Sequence, residues 1–166
     1  MSESLKIDSS IYIWLIVIVF VLPTVITLIS EFFFTKRLTL KVSVLAVFIM
    51  GVVTVALSYQ LQGTKVIVTD NKLVLKSMFY SSEVLLEDIT SVESFAQELP
   101  TQYYLIQRTN GIQLPGYFSG HYKTHNKLDS FVLATYPPYL VVTTRDKSLF
   151  IFSGSDALRK ALLKSL

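Results

Sequence analysis

The chain has 166 residues, of which 51% are hydrophobic and only 16% charged, with a formal net charge of +3 and no cysteine. That is too apolar for a single water-soluble domain, whose surface is rich in Lys, Arg, Asp and Glu. The small charge argues against a nucleic-acid partner, and the lack of cysteine excludes disulfides, cysteine-based zinc sites and cysteine nucleophiles.

Residues 1–10 read as a short polar tail. Ile11 to Ile29 (IYIWLIVIVFVLPTVITLI) and Val42 to Leu61 (VSVLAVFIMGVVTVALSYQL) then carry no charge at all. Each run reaches the length of about 20 residues that an α-helix needs to cross a hydrocarbon core. Helices satisfy their own backbone in lipid, so the pair predicts a transmembrane hairpin with spans at 11–30 and 41–61 and a connecting loop at 31–40. Tyr12, Trp14, Phe32, Phe33, Phe34 and Tyr59 mark the span ends, where aromatic rings favour the headgroup region. A cleaved signal peptide fits poorly: Lys6 is opposed by Glu3 and Asp8, and Ser30-Glu31-Phe32-Phe33 is a poor cleavage site. Buried core helices rarely run this long without charge. Pro23 predicts a kink that Thr24 and Thr27 help to satisfy. Neither uncharged run, 11–29 or 42–61, holds a Gly-x-x-x-Gly face or an Asp, Glu, His, Lys or Arg, which argues against an ion or proton pathway.

Beyond Tyr59 the pattern changes to short alternating runs, and residues 62–166 form the expected soluble domain. Its 11 Lys plus Arg against 9 Asp plus Glu over residues 61–166 leave it nearly neutral. TKVIVT (64–69) and KLVLK (72–76) around Asp70-Asn71 predict a tight hairpin. Further strands are expected at 78–80, 83–86, 91–96, 103–109, 117–123, 130–135, 140–144 and 148–152, with turns at Asn110-Gly111, Pro115-Gly116, Pro137-Pro138 and Arg145-Asp146-Lys147. Ser155 can cap a closing helix whose apolar face is Leu158, Ala161, Leu162 and Leu166. Many short strands closed by one amphipathic helix predict a small β-barrel or sandwich.

The stretch RTNGIQLPGYFSGHY (108–122), followed by FVLAT (131–135) and LVVTTRDKSLFIF (140–152), resembles the bacterial pleckstrin-homology-like (PH-like) domains of small membrane proteins. Arg108, Gly111, Gly116 and Gly120 carry the match, which extends over roughly residues 64–166, and Tyr136-Pro137-Pro138-Tyr139 departs from it. The resemblance implies architecture and a cytosolic domain. It brings little assigned activity.

The common catalytic patterns are each incomplete in this sequence. Gly111 and Gly116 have the spacing that opens a phosphate-binding loop, but Tyr117 and Phe118 stand where Lys and Ser/Thr would be needed. His121 and His125 would lie about 13 Å apart on a strand, so they read as surface residues without a metal. Ser119, His121 and Asp129 lack a nucleophile elbow, and adjacent Glu87 and Asp88 point to opposite faces of a strand. No cofactor or metal is therefore expected, and a membrane-bound hydrolase using Ser119 and His121 is the alternative reading. A specific phosphoinositide site is not expected either, because Lys65 and Lys72 are offset by Asp70. Gln60 to Gly63 span at most about 14 Å, which holds the domain at the membrane surface. The expectation is a non-catalytic platform that binds a protein or lipid partner there through Arg108, Tyr117, Tyr122 and Lys123, with inward packing an equal alternative for Tyr117 or Phe118, since one of two adjacent strand residues faces the core. Lys36, Arg37 and Lys41 on the link balance Lys6, Lys65, Lys72 and Lys76 on the other side, so charge alone does not orient the hairpin.

Overall fold

The computed structural model describes residues 1–36 and 40–165; Arg37 and Leu166 lie outside the described residues. The chain divides into a helical unit, Asp8–Gln62, and a β unit made of Met1–Ile7 together with Gly63–Leu166.

In the helical unit, α1 (Ser9–Ile16) starts at Asp8, whose carboxylate accepts the Ser10 N–H at 2.8 Å. Asp at this position satisfies one of the donors that a helix start leaves unpaired. The helix then widens through a π turn at Val17–Val21, where the Leu22 N–H bonds the Val17 carbonyl, before α2 (Leu22–Thr35). The cause is Pro23: it lacks the N–H that would reach back one turn, and a wider turn absorbs the misfit. Thr27 donates to the Pro23 carbonyl at 2.8 Å, while the Thr24 hydroxyl makes no such bond. Residues 31–35, expected in the connecting loop, continue α2, which stops where Lys36 turns left-handed and bonds the Phe32 carbonyl. α3 (Leu40–Gln62) packs back along the first helix. Both apolar stretches, Ser9–Phe34 and Ser43–Gln62, are long and apolar enough to cross a membrane. Only 6% and 11% of them are buried, which separates them from the core helices of a soluble protein.

The β unit has two sheets. The first orders β1 (Ser2–Ser4), β2 (Lys65–Val68), β3 (Lys72–Lys76) and β4 (Ser81–Leu85), each antiparallel to its neighbour. Thr69 and Lys72 close the expected turn at Asp70-Asn71. Met78–Tyr80, expected as a strand, is instead a tight turn in which the Ser77 N–H bonds the Tyr80 carbonyl. The second sheet contains β5 (Ile89–Phe95), β6 (Leu105–Leu114), β7 (Tyr117–Thr124), β8 (Asp129–Ala134), β9 (Tyr139–Thr144) and β10 (Leu149–Ser153), in the order β5-β9-β10-β8-β7-β6. Chain-successive β8 and β9 do not pair, because β10 returns between them, parallel to β8 and antiparallel to β9. The Tyr136–Pro138 crossing, with its cis Pro137–Pro138 bond, makes the link. The two sheets do not join into a closed barrel.

The main core lies between the sheets: Val66, Val68, Leu73 and Leu75 meet Phe131, Leu133, Leu140, Val142, Phe150 and Phe152. α4 (Asp156–Ser165) adds Leu158 and Leu162, both fully buried. The intervening residues of the same strands, Val132, Ala134, Val141, Leu149 and Ile151, form a second cluster with Tyr103 and Tyr122. The central sheet is thus covered on both faces. That is why FVLA, LVV and LFIF are continuous apolar runs rather than alternating ones. Residues 1–10 also depart from the expected tail, since Ser2–Ser4 pair with Lys65–Ile67 and Leu5 joins the main core.

Candidate functional site

The β6–β7 hairpin turns at Pro115-Gly116, with Leu114 opposite Tyr117. Pro in the first central position and Gly at φ 78° in the second supply the type II turn chemistry. Asn110-Gly111, expected as another turn, lies inside β6 at a bulge. Gly111 faces Gly120, whose φ is 119°. A Cβ on Gly111 would come within 2.4 Å of the Ser119 carbonyl oxygen, and one on Gly120 within 2.4 Å of the Asn110 carbonyl oxygen. Gly111 is therefore in a strand and Gly116 in a turn followed by a strand, with no helix start between them to cradle a phosphate.

The side chains of β7 divide between the two covered faces. Tyr117 is fully buried, and its hydroxyl lies 3.5 Å from the Thr64 hydroxyl. Ser119, also fully buried, donates its hydroxyl to Ser77. At the surface nearby, Tyr80 donates to the Asn110 side-chain oxygen at 3.0 Å. On the other face, Tyr122 is 2% exposed and donates to the Ile112 carbonyl at 3.0 Å. Burial pushes its phenol up to about 12, against a smaller downward pull from Arg108.

Of the four residues expected to form a partner surface, Tyr117 and Tyr122 therefore belong to the interior. Lys123 is engaged with Asp129 at 2.9 Å, and Arg108 is exposed opposite Tyr122. Ser119 and His121 are not brought together as a catalytic pair. The serine is in the buried seam, whereas the exposed His121 ring lies edge-on to Phe131 at 5.1 Å and Asp129 is engaged with Lys123. Glu87 and Asp88 lie in a single 3-10 turn, Leu86–Asp88, rather than a strand. Among the described residues no three acidic or histidine side chains gather into a metal site.

Two open regions stand out. One, of about 450 Å³, lies beside the β9–β10 turn and is lined by charged groups that satisfy one another. Lys72 pairs with Glu83 at 2.8 Å and Arg145 with Asp88 at 3.9 Å. Asp146 accepts from the Thr144 hydroxyl and from the Ser148 N–H and hydroxyl, which hold its carboxyl below the usual value.

The other is a groove on the outer face of the six-stranded sheet. A hollow of about 510 Å³ is lined by half-buried Leu99, Leu105, Phe118 and Tyr139, which pack over Val132, Ala134 and Ile151 and leave those three only 1%, 4% and 0% exposed. Exposed Gln97, Glu98, Tyr104 and Gln113 rim it. A second hollow of about 480 Å³, lined by Arg108, Leu114 and Pro115, shares Gln113 and Phe118 with the first. Burial raises the Tyr139 phenol above its ordinary value. The sequence signal for this groove is the continuous apolar character of β8, β9 and β10, which requires a second covered face; residues 97–102, between the strands expected at 91–96 and 103–109, carry no strand or helix periodicity of their own. No family model, curated protein or solved structure matches the chain.

Proposed function

We propose that the chain is an integral membrane protein whose two apolar helices span the bilayer and whose β unit serves as a non-catalytic binding platform at the membrane surface. The observation that carries this reading is topological. The apolar helices are inserted in the chain between β1 and β2, adjacent strands of one sheet, so both ends of the hairpin return to the same folded unit. The hydroxyls of Thr27, Thr54 and Ser58 donate to carbonyls one turn back in their own helices, an arrangement suited to a solvent that offers no hydrogen bonds. The PH-like assignment belongs to the same proposal. Two mainly antiparallel sheets with a C-terminal helix packed on their shared core support it, while the parallel β8–β10 pair departs from a simple meander. A cytosolic position of the β unit follows from that resemblance.

The test is extraction of native membranes with alkaline carbonate, followed by photo-crosslinking from position 113. Retention in the pellet together with a discrete adduct is the expected result. Release into the supernatant overturns the membrane assignment. Retention without any adduct from position 113 or 118 overturns the platform.

A further inference from the structure

The four-stranded sheet has two ends of unlike chemistry. At one of them Ser4 lies opposite Lys65, Lys65 opposite Lys76 and Lys76 opposite Ser81. This is where the chain passes into the apolar helices: Gly63 and Thr64 alone separate α3 from β2, and Leu5–Asp8 separate β1 from α1. The Leu5 N–H bonds the Thr64 carbonyl at 3.1 Å, so the two links leave side by side. The β3–β4 turn is at the same end. The Ser77 N–H pins it to the Tyr80 carbonyl at 2.8 Å, yet the Phe79 ring at its tip is 57% exposed.

Charge divides in the same way. Lys65 and Lys76 are cross-strand partners, a placement that like charges disfavour. Among the described residues neither they nor exposed Lys6 on the β1–α1 link is in an ion pair. The nearby acids are engaged or distant. Glu3 accepts from Ser155, Asp8 caps α1, Glu83 pairs with Lys72, and Asp70 lies in the β2–β3 turn at the far end of the hairpin from Lys65.

We infer that this end of the β unit rests in the headgroup layer of an anionic bilayer, with Phe79 entering the acyl boundary and Lys65, Lys76 and Lys6 against lipid phosphates and carboxylates. The inference rests on the membrane reading above and specifies which surface of the β unit meets the lipid. Covalent connection names the occupant: two extended residues reach about 7 Å, so an end tied to a spanning helix through Gly63 and Thr64 stays at the water–lipid boundary. An exposed ring beside basic side chains suits that boundary, where the ring is buried and the ammonium groups meet negative charge.

Trp14→Phe leaves the full chain without tryptophan, and Phe79→Trp or Asp70→Trp then places a single indole at either end of the sheet. Each variant is reconstituted in vesicles of phosphatidylcholine, with brominated acyl chains or with added phosphatidylserine. All three positions are solvent-exposed, and matched thermal melts verify the fold. The indole at position 79 should be quenched by brominated lipid and shielded from aqueous acrylamide, and the indole at position 70 the reverse. Phosphatidylserine should deepen the shielding at position 79. Each lysine near an anionic surface contributes about fivefold in binding, so Lys65→Gln with Lys76→Gln should raise severalfold the phosphatidylserine fraction that gives half the effect. Equal acrylamide quenching at both positions, or indifference to phosphatidylserine and to both lysines, overturns the inference. Shielding at position 79 without quenching by brominated lipid overturns it in favour of a protein contact. Any of these results in protein that floats with the vesicles leaves the membrane reading standing; protein that does not float overturns both.

Discussion

Glu3 and Ser155 are 152 residues apart in sequence, yet the Glu3 carboxylate accepts the Ser155 N–H at 3.0 Å and the Ser155 hydroxyl at 2.6 Å. The Ser155 oxygen in turn accepts the Leu158 N–H at 3.3 Å at the start of α4. A carboxylate there complements both the unpaired N–H groups and the helix dipole. The segment before the apolar helices thus caps the helix that ends the β unit. Glu3→Ala is expected to lower stability by about 1 kcal/mol, and Ser155→Ala by a similar amount. Because the residues are coupled, the double variant should lose less than the sum, as a double-mutant cycle of chemical denaturation will show.

The Gly111–Gly120 pair gives a sharper expectation. A methyl group at either position meets backbone rather than a movable side chain. Gly120→Ala also places a Cβ at φ 119°. Each substitution should cost roughly 2–4 kcal/mol, whereas Gly51→Ala, whose Cβ would sit 3.8 Å from Phe20, should be near neutral. Thermal melts of the three variants are the check.

Much of this fold was legible because local and tertiary preferences agree. KVIV and KLVLK are short β-rich runs whose burial alternates, with Val66, Val68, Leu73 and Leu75 inward, and Asp70-Asn71 turns where expected. Asn110-Gly111 misled because the dipeptide favours hairpin turns; here Gly111 instead permits two backbones to approach closely opposite Gly120. β1 was unreadable, since Ser2-Glu3-Ser4 has no strand pattern and is extended by pairing with β2. Tyr117 and Tyr122 read as part of an aromatic and basic surface in the sequence, with inward packing open for Tyr117. They occupy opposite faces of β7, and both faces are covered there.

Two-sided burial makes adjacent core residues equally sensitive. Leu133→Ala should cost about 3 kcal/mol from the core between the sheets, and Val132→Ala about 2 kcal/mol from the outer cluster. A sheet with one solvated face would leave one of the two near neutral. Urea denaturation of both variants distinguishes the cases.

The alkaline limb of stability follows from Tyr122. Its phenol is raised from 10.0 to about 12, chiefly by burial, so the folded state holds its proton more tightly than the unfolded chain does. The corresponding stability is fully present below pH about 10 and is lost as pH rises towards about 12. Two pKa steps correspond to on the order of 2–3 kcal/mol. Tyr103, raised by burial and by its bond to Glu93, acts in the same direction. Tyr122→Phe should cost about 1 kcal/mol at neutral pH through the lost bond to Ile112, and should flatten the decline above pH 10. Denaturation midpoints between pH 8 and 12 provide the comparison.

The most direct test of the membrane-anchored account uses the absence of cysteine from the chain. Lys6→Cys and Lys160→Cys place single thiols at exposed positions before the helical unit and in α4. Sealed native vesicles of each orientation are treated with a membrane-impermeant maleimide. The account predicts that both thiols react in one vesicle orientation and are protected in the other, because the hairpin crosses twice and both ends belong to one folded unit. Labelling of the two positions from opposite sides, or labelling of both in either orientation, would contradict it.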